Sequence, residues 1–214
     1  MSKLVISLML AAMGCTPLCA ANPTPFIGGT FHLNAATEEF AHRDFTNLDG
    51  GAKVGIGEEV DAGLGFRACD VYGGFRWAHF NMRGTTDVAS QKVNAQGMWR
   101  LFRWTLGARH RLDDTKTFSP TLGGGLTWER SDVEVWTLPP TPRKMNTIKM
   151  TSPSLGWFAE GGAVYSAGRL LDLLGGVQYH QYDAPVHTPT HGIFRGNIEI
   201  SYLTLYAGLM IKLT

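Results

Sequence analysis

The stretch between residues 99 and 112, WRLFRWTLGARHRL, places its charged side chains at alternate positions. The two parities hold Arg103, Arg109 and Arg111 on one side and Phe102, Trp104 and Leu106 on the other. Because successive side chains of a β-strand point to opposite faces, this spacing predicts a strand with one basic and one apolar face. A basic amphipathic helix fits part of the same spacing. The pattern in the rest of the chain is therefore needed to distinguish a strand from a helix.

Other alternating segments add acidic groups to the polar face. The predicted polar-face set is Glu59, Asp61, Arg67, Arg103, Arg109, Arg111, Glu129, Glu160 and Asp172, with Arg76 as a further candidate. If this face lines a closed barrel, its charges must be paired, because burial of a lone charge is costly. The near balance of acids and bases predicts a salt-bridged interior. An open ion channel would more often carry an excess of one sign.

The N-terminus and the composition limit the class of protein. The chain has 214 residues and a formal net charge of +1, so no global field indicates a nucleic-acid partner. Residues 1–21 have one lysine, a short apolar core and then small residues, as in a secretory signal peptide. An alternative is lipoprotein processing with acylation of Cys15. The mature domain is expected to span 22–214, where Cys69 alone remains and predicts neither a disulfide framework nor zinc.

The chain beyond the signal contains eight stretches with a period of two. They run approximately over 26–34, 52–68, 71–82, 97–112, 118–136, 152–166, 170–183 and 197–213. Short connections follow the second, fourth and sixth stretches, and long polar connections follow the others. This alternation is typical of an up-and-down barrel in the outer membrane. The sequence therefore predicts an all-β, eight-stranded antiparallel transmembrane barrel, with Arg103 pointing inward and Trp104 facing lipid.

This architecture resembles the small bacterial outer-membrane β-barrel superfamily, the OmpA-transmembrane, OmpX and OmpW-like proteins. The resemblance covers residues 26–214 and ends in the strand ISYLTLYAGLMIKLT. Members commonly end in phenylalanine, whereas this chain ends in Leu213-Thr214. The resemblance implies a bacterial outer-membrane localisation and a monomeric barrel. It also implies that outer-membrane lipids, lipopolysaccharide and the barrel assembly machinery are the partners.

His180 is the one catalytic candidate. Lipid A 3-O-deacylases of similar size carry a His-x-Ser pair with a downstream glutamate. Here His180 is followed two residues later by Tyr182, so the nucleophile is missing although Glu199 lies downstream. We expect His180 to be an inward polar residue hydrogen-bonded to a carboxylate such as Glu160 or Asp172.

His187 and His191 are candidates for metal binding because of their spacing of four residues. Pro189 lies between them, so a helix that presents both on one face is not expected. Loop histidines can still bind zinc or copper, but the nearest carboxylate is Asp183. We expect a solvated loop, and neither a bound metal nor a cofactor.

The sequence thus predicts an outer-membrane barrel with a structural or surface-interaction role. A narrow channel for small solutes and a lipid A-modifying enzyme remain alternatives. A third alternative is an exported lipocalin-like barrel that binds an apolar ligand, in which the apolar face would point inward and the polar face outward.

Overall fold

The computed structural model describes residues 23–37, 48–88, 91–113, 115–137, 144–150, 153–187 and 195–213. The signal segment, Cys15 and His191 lie outside these ranges. Within them, no helix is long and apolar enough to span a membrane. The described strands are β1 (Thr24–Thr37), β2 (Leu48–Gly65), β3 (Cys69–Val88), β4 (Gln91–Arg111), β5 (Phe118–Thr137), β6 (Lys144–Met150), β7 (Ser154–Ser166), β8 (Leu171–His187) and β9 (Arg195–Lys212).

These strands close into an antiparallel barrel with eight positions. Strands β1 to β5 pair in chain order, and β9 pairs back with β1. The short β6 and the longer β7 share one position, since each lies between β5 and β8. The predicted eight-stranded antiparallel barrel is therefore confirmed.

The stagger of the strands sets the tilt of the barrel. A row of directly paired residues starts at Pro120 on β5, passes through β7, β8, β9, β1, β2, β3 and β4, and returns to β5 at Arg130. After one circuit of the barrel, the row meets β5 again ten residues further along that strand. For eight strands this stagger corresponds to a tilt of about 40°, which is usual for barrels of this size. Each circuit therefore rises about 25 Å along the barrel axis.

The turn between β2 and β3 differs from the prediction. The predicted strand 52–68 ends at Gly65, and the backbone N–H of Phe66 donates to the carbonyl of Cys69 at 2.7 Å to close the turn. Cys69 and Asp70, expected in the turn, begin β3 instead. Arg67 lies in the turn and is exposed, so its assignment to the interior set is wrong. The alternation was extended past the point at which the chain reverses.

The other turns at the same end of the barrel are also short. The connection after β4 is closed by Asp113, which accepts hydrogen bonds from the Thr115 backbone N–H at 3.2 Å and from its hydroxyl at 2.7 Å. The Lys116 ammonium, 2.7 Å from the Asp113 carboxylate, and these hydrogen bonds lower the pKa of Asp113 to about 2. In the turn after β7, Gly168 adopts a φ of 137°, which favours glycine.

The exterior is apolar over the height expected for a membrane-embedded barrel. Large apolar side chains alternate with buried positions along every barrel strand, and they include Ile27, Phe31, Val60, Phe75, Trp104, Leu122, Leu155, Leu173, Leu205 and Leu209. Trp104 is 63% exposed and Val60 is 60% exposed. An apolar outer surface facing lipid accounts for these exposures. It is the reverse of the polar exterior that the lipocalin-like alternative requires.

A ring of small residues circles this exterior, one from each barrel position. Its members are Gly29, Ala62, Gly73, Ala108, Gly124, Gly161, Gly175 and Ala207, and neighbours are paired directly or along a diagonal. A Cβ at Gly161 or Gly175 would meet no atom closer than 3.7 Å. Packing within the chain therefore does not require glycine at these two positions.

Candidate functional site

Buried side chains occupy the barrel interior in successive layers. A buried apolar cluster lies towards the end with long connections and includes Phe80, Met82, Trp99, Leu101 and Ile200. A second cluster lies towards the short turns and consists of Phe26, Tyr72, Phe158, Val164, Leu174, Tyr206 and Met210. Between them, along β3 and β4, stand Arg76 and Arg103, which are 0% and 1% exposed. The arginines are therefore enclosed by apolar layers on both sides.

Four charged side chains occupy one cross-strand row at this level. Glu59 pairs with Arg76, Arg76 with Arg103, and Arg103 with Glu129, on strands β2 to β5. The Arg103 guanidinium lies 3.4 Å from a Glu59 carboxylate oxygen and 3.8 Å from one of Glu129. It also donates to the Tyr202 hydroxyl at 3.0 Å. Arg103 therefore holds three strands together through its own side chain.

The hydrogen-bond partners of Arg76 are neutral groups. Its guanidinium donates to the Asn34 side-chain oxygen at 2.5 Å, to the Thr204 hydroxyl at 2.9 Å and to the Gln178 amide oxygen at 3.4 Å. These partners lie on β1, β9 and β8, across the barrel from β3. Asn34 and His32 were not singled out from the sequence, although both share the inward parity of β1.

His180 lies between the two arginines. Its Nδ1 is 2.6 Å from Nη1 of Arg103, and its Nε2 is 3.2 Å from Nη1 of Arg76. The ring is fully buried and stacks on Tyr202 with centroids 4.7 Å apart. The predicted hydrogen bond to Glu160 or Asp172 is replaced by these contacts and by one with Gln178, which in turn donates to Glu160 at 3.0 Å. A buried ring enclosed by arginines has no access to a lipid substrate.

A second charged group lies nearer the short turns. Arg109 donates from Nε to Glu160 at 2.8 Å, and its guanidinium carbon lies 5.1 Å from the centre of the Tyr72 ring. Asp61 is buried nearby at 5% exposure. No described residue forms an ion pair with Asp61, and its Oδ1 has no hydrogen-bond partner among them. Asp61 is thus an interior carboxylate that lacks the direct pairing given to Glu160.

A third group of charged side chains spans the barrel mouth that carries the short turns. Arg111 on β4 lies 3.2 Å from Asp70 on β3 and 3.1 Å from Asp172 on β8. Lys212 on β9 lies 2.9 Å from the other oxygen of Asp172. Strands on opposite sides of the barrel are thereby linked at this mouth. The sequence pattern does not predict this role for Asp70, because it places residues 69 and 70 in a connection.

The metal candidates are only partly described. The backbone of His187 lies at the end of β8, where it pairs with Arg195, and its side chain lies outside the described part. In the described ranges no group of three histidine, cysteine, aspartate or glutamate side chains could hold a metal ion. Metal binding by His187 and His191 stays a prediction.

Comparisons with known proteins extend the fold assignment. No protein-family model and no curated protein matches the sequence. Among solved structures, neisserial surface protein A is similar with a TM-score of 0.54 and 15% identity, over 88% of this chain and 97% of that one. The outer membrane protein AlkL gives a TM-score of 0.51 at 12% identity, over 90% and 91%. The outer membrane protein OprG of Pseudomonas aeruginosa gives 0.50 at 12% identity, over 90% and 96%.

These similarities define the class of protein. The structural neighbours are small outer-membrane β-barrels, so the chain has the fold that was predicted from its alternating strands. The predicted bacterial outer-membrane localisation agrees with these neighbours and with the apolar exterior. A shared fold does not by itself assign a role. The residues in the barrel interior are therefore needed to distinguish between possible roles of this protein.

Proposed function

We propose that this protein is a closed, non-conducting outer-membrane barrel with a structural or surface-interaction role. The observation that carries the proposal is the filled interior. Arg103 bridges Glu59 and Glu129 within 4 Å, and fully buried Phe80 and Trp99 lie above it. An eight-stranded barrel has an interior just wide enough for side chains to fill, so such layers leave no wide path for solutes.

The proposed orientation follows from the connections. Outer-membrane barrels have short periplasmic turns and longer extracellular loops. The short turns after β2, β4 and β7 and the described chain ends share one end of the barrel. We place that end in the periplasm and the connections of the opposite end at the cell surface. Between β3 and β4 only residues 89 and 90 remain, so the strands extend through most of the long connection that the alternation predicts there. Residues 1–21 act as the export signal in this proposal.

The proposed partners follow from the location. The apolar exterior contacts outer-membrane lipids, including lipopolysaccharide, and the barrel assembly machinery inserts the chain as a monomer. A lipid A-modifying enzyme is less well supported, because His180 is enclosed between Arg76 and Arg103. A narrow channel would require Arg103 and the apolar layer around Trp99 to move aside together.

Two measurements test this proposal. Heat modifiability on SDS gels, applied to the purified outer-membrane fraction, should show a mobility shift between unboiled and boiled samples. Planar-bilayer recordings of the purified barrel should then show no stable unitary conductance. Stable unitary conductance of the unaltered protein would overturn the closed-barrel assignment.

A further inference from the structure

One face of the exterior is aromatic. On the outward side of β3, β4 and β5, Phe75, Trp104 and Trp128 are directly paired in one cross-strand row. The rings of Phe75 and Trp104 lie 4.9 Å apart. In the next row towards the long connections, Trp77 pairs with Phe102. We call these five residues the aromatic face.

The outward side of β9 lacks this concentration, although a second aromatic pair, Trp157 and Tyr179, lies on β7 and β8 with ring centroids 5.5 Å apart. At the outward positions of β9, the large exposed side chains are Leu203, Leu205, Leu209 and Ile211, all aliphatic. Aliphatic side chains suffice to contact acyl chains, so the aromatic face exceeds what membrane insertion alone requires. Aromatic rings instead favour the boundary between acyl chains and headgroups, where one end of the ring is apolar and the other wet.

Arg130 completes the second row beside the aromatic face. It pairs directly with Phe102 and follows Trp128 by two residues on the same side of β5. Its side chain is exposed, and no ion pair joins it to any described residue. One row higher, Arg100 is paired directly with His79 on β3 and with Asp132 on β5. The Arg100 guanidinium lies 3.5 Å from the carboxylate of Glu134. Arg130 is therefore the cation of this face that is not engaged by a described carboxylate.

Two acidic residues lie on the opposite side of the barrel, and one exposed carboxylate, Glu58, lies in the row of Arg130 at the far edge of the aromatic face. Asp183 on β8 and Glu199 on β9 are directly paired towards the same end of the barrel. An anionic headgroup would be repelled there and attracted at Arg130. Arg130 also stands at a suitable height. Measured along the barrel axis, Arg130 lies about 25 Å from Pro120, and this distance equals the usual height of the apolar band of an outer-membrane barrel. The guanidinium thus lies near the headgroups of the outer leaflet in the proposed orientation.

We propose that the aromatic face and Arg130 form a binding site for the lipid A part of lipopolysaccharide. The Arg130 guanidinium binds a phosphate of the glucosamine headgroup through charge-assisted hydrogen bonds, for which its planar fork is well suited. The acyl chains lie over Trp104 and Trp128, whose outward faces are exposed. This proposal rests on the outer-membrane location and orientation proposed above, but it does not depend on whether the barrel conducts.

The test measures lipid retention by refolded barrels in neutral detergent, using native mass spectrometry at increasing lipid concentrations. The probes are lipid A, lipid A without phosphates, and phosphatidylglycerol. The variant Arg130→Gln removes the cation, and Arg169→Gln removes an exposed arginine in the turn between β7 and β8 as the matched control. A heat-shift gel confirms that both variants fold before the titration begins.

The expected result is an apparent Kd for lipid A about tenfold weaker in Arg130→Gln, the equivalent of about 1.4 kcal/mol. Arg169→Gln should bind like the unaltered protein, and phosphate-free lipid A should bind equally weakly to all three. Equal Kd values for Arg130→Gln and Arg169→Gln would overturn the site. Equally tight, Arg130-dependent binding of phosphatidylglycerol would overturn the assignment to the glycolipid. Neither result would be produced by a failure of the closed-barrel proposal, which bilayer conductance tests separately.

Discussion

Arg76 and Arg103 stand directly opposite each other on β3 and β4, and both are fully buried inside the barrel. Like charges in directly opposed positions of a sheet repel each other. Two carboxylates in the same row offset this repulsion, because Glu59 is paired with Arg76 and Glu129 is paired with Arg103. The two arginines are nevertheless held differently, and this difference leads to the first prediction.

Replacement of Arg103 by methionine should destabilise the barrel more than replacement of Arg76. Arg103→Met leaves Glu59 and Glu129 without their ion pair, which should cost about 3–5 kcal/mol of unfolding free energy. Arg76→Met removes hydrogen bonds to neutral groups and relieves the repulsion, so we expect about 1–3 kcal/mol. Reversible urea unfolding in detergent, followed by the heat-modifiable gel shift, measures both values.

The control for that comparison is Arg100→Met, which breaks an outward pair with Glu134 whose side chains are 43% and 28% exposed. Exposed ion pairs contribute about 0–1 kcal/mol, so this variant should unfold close to the unaltered protein. If Arg100→Met and Arg103→Met cost the same, the interior row is not what stabilises the barrel.

Asp61 should behave in the opposite way from its neighbour Glu59. Asp61→Asn removes a buried charge that no described residue pairs directly, so the unfolding free energy should stay equal or rise. Glu59→Gln removes the carboxylate that lies 3.4 Å from Arg103 and should cost about 1–3 kcal/mol. Both residues point inward from β2, two positions apart, which makes them a matched pair in the same unfolding assay. Strong destabilisation by Asp61→Asn would show that its carboxylate has a partner after all.

The fold could be predicted because lipid outside and polar groups inside impose a period of two along each whole strand. The positions at which strands end carry no such signal. Periodicity alone therefore continues the strand through Arg67 into the turn and leaves Asp70 in the connection. A shift of register near Ala52, inside β2, interrupts the alternation as well, and periodicity alone does not reveal it. It places Ala52 inside the barrel at 1% exposure, although its parity in the sequence is that of Val54 outside.

The composition of the interior was easier to predict than its contacts. Parity alone places Arg103 and Glu129 inward, but their pairing depends on the register between β4 and β5, which neither strand encodes by itself. The sequence predicts a carboxylate partner for His180, because Glu160 and Asp172 are also predicted to point inward. The ring instead meets arginines that arrive from β3 and β4, on the far side of the barrel.

Gly175 and Gly176 should respond differently to alanine although they are adjacent on β8. A Cβ at inward Gly176 would lie 2.7 Å from the Cα of Gly162 and 2.8 Å from the Tyr206 hydroxyl, so neighbouring strands would have to shift. We expect Gly176→Ala to cost about 1–3 kcal/mol, as overpacking usually does. At outward Gly175 the nearest atom is 3.7 Å away, so Gly175→Ala should be neutral or stabilising. Equal costs in urea unfolding would contradict the inward and outward assignment.

Trp104 and Trp99 should report opposite environments, although both lie on β4. Trp104 is 63% exposed on the outer surface, whereas Trp99 is 1% exposed within the interior cluster. In vesicles that contain brominated acyl chains, a variant with Trp104 as its single tryptophan should lose much of its fluorescence. A variant that retains only Trp99 should be quenched little, because bromine acts only at close contact.

The matched control for this comparison is a water-soluble quencher, acrylamide, applied to the same vesicles. Neither variant should respond strongly, since lipid shields Trp104 and the packed interior shields Trp99. A barrel with the opposite polarity would expose Trp104 to water. Strong acrylamide quenching of Trp104 together with weak bromine quenching would therefore show that the protein is not embedded in the membrane. It would also remove the basis for a lipid-binding face around Arg130, whatever the conductance measurements show.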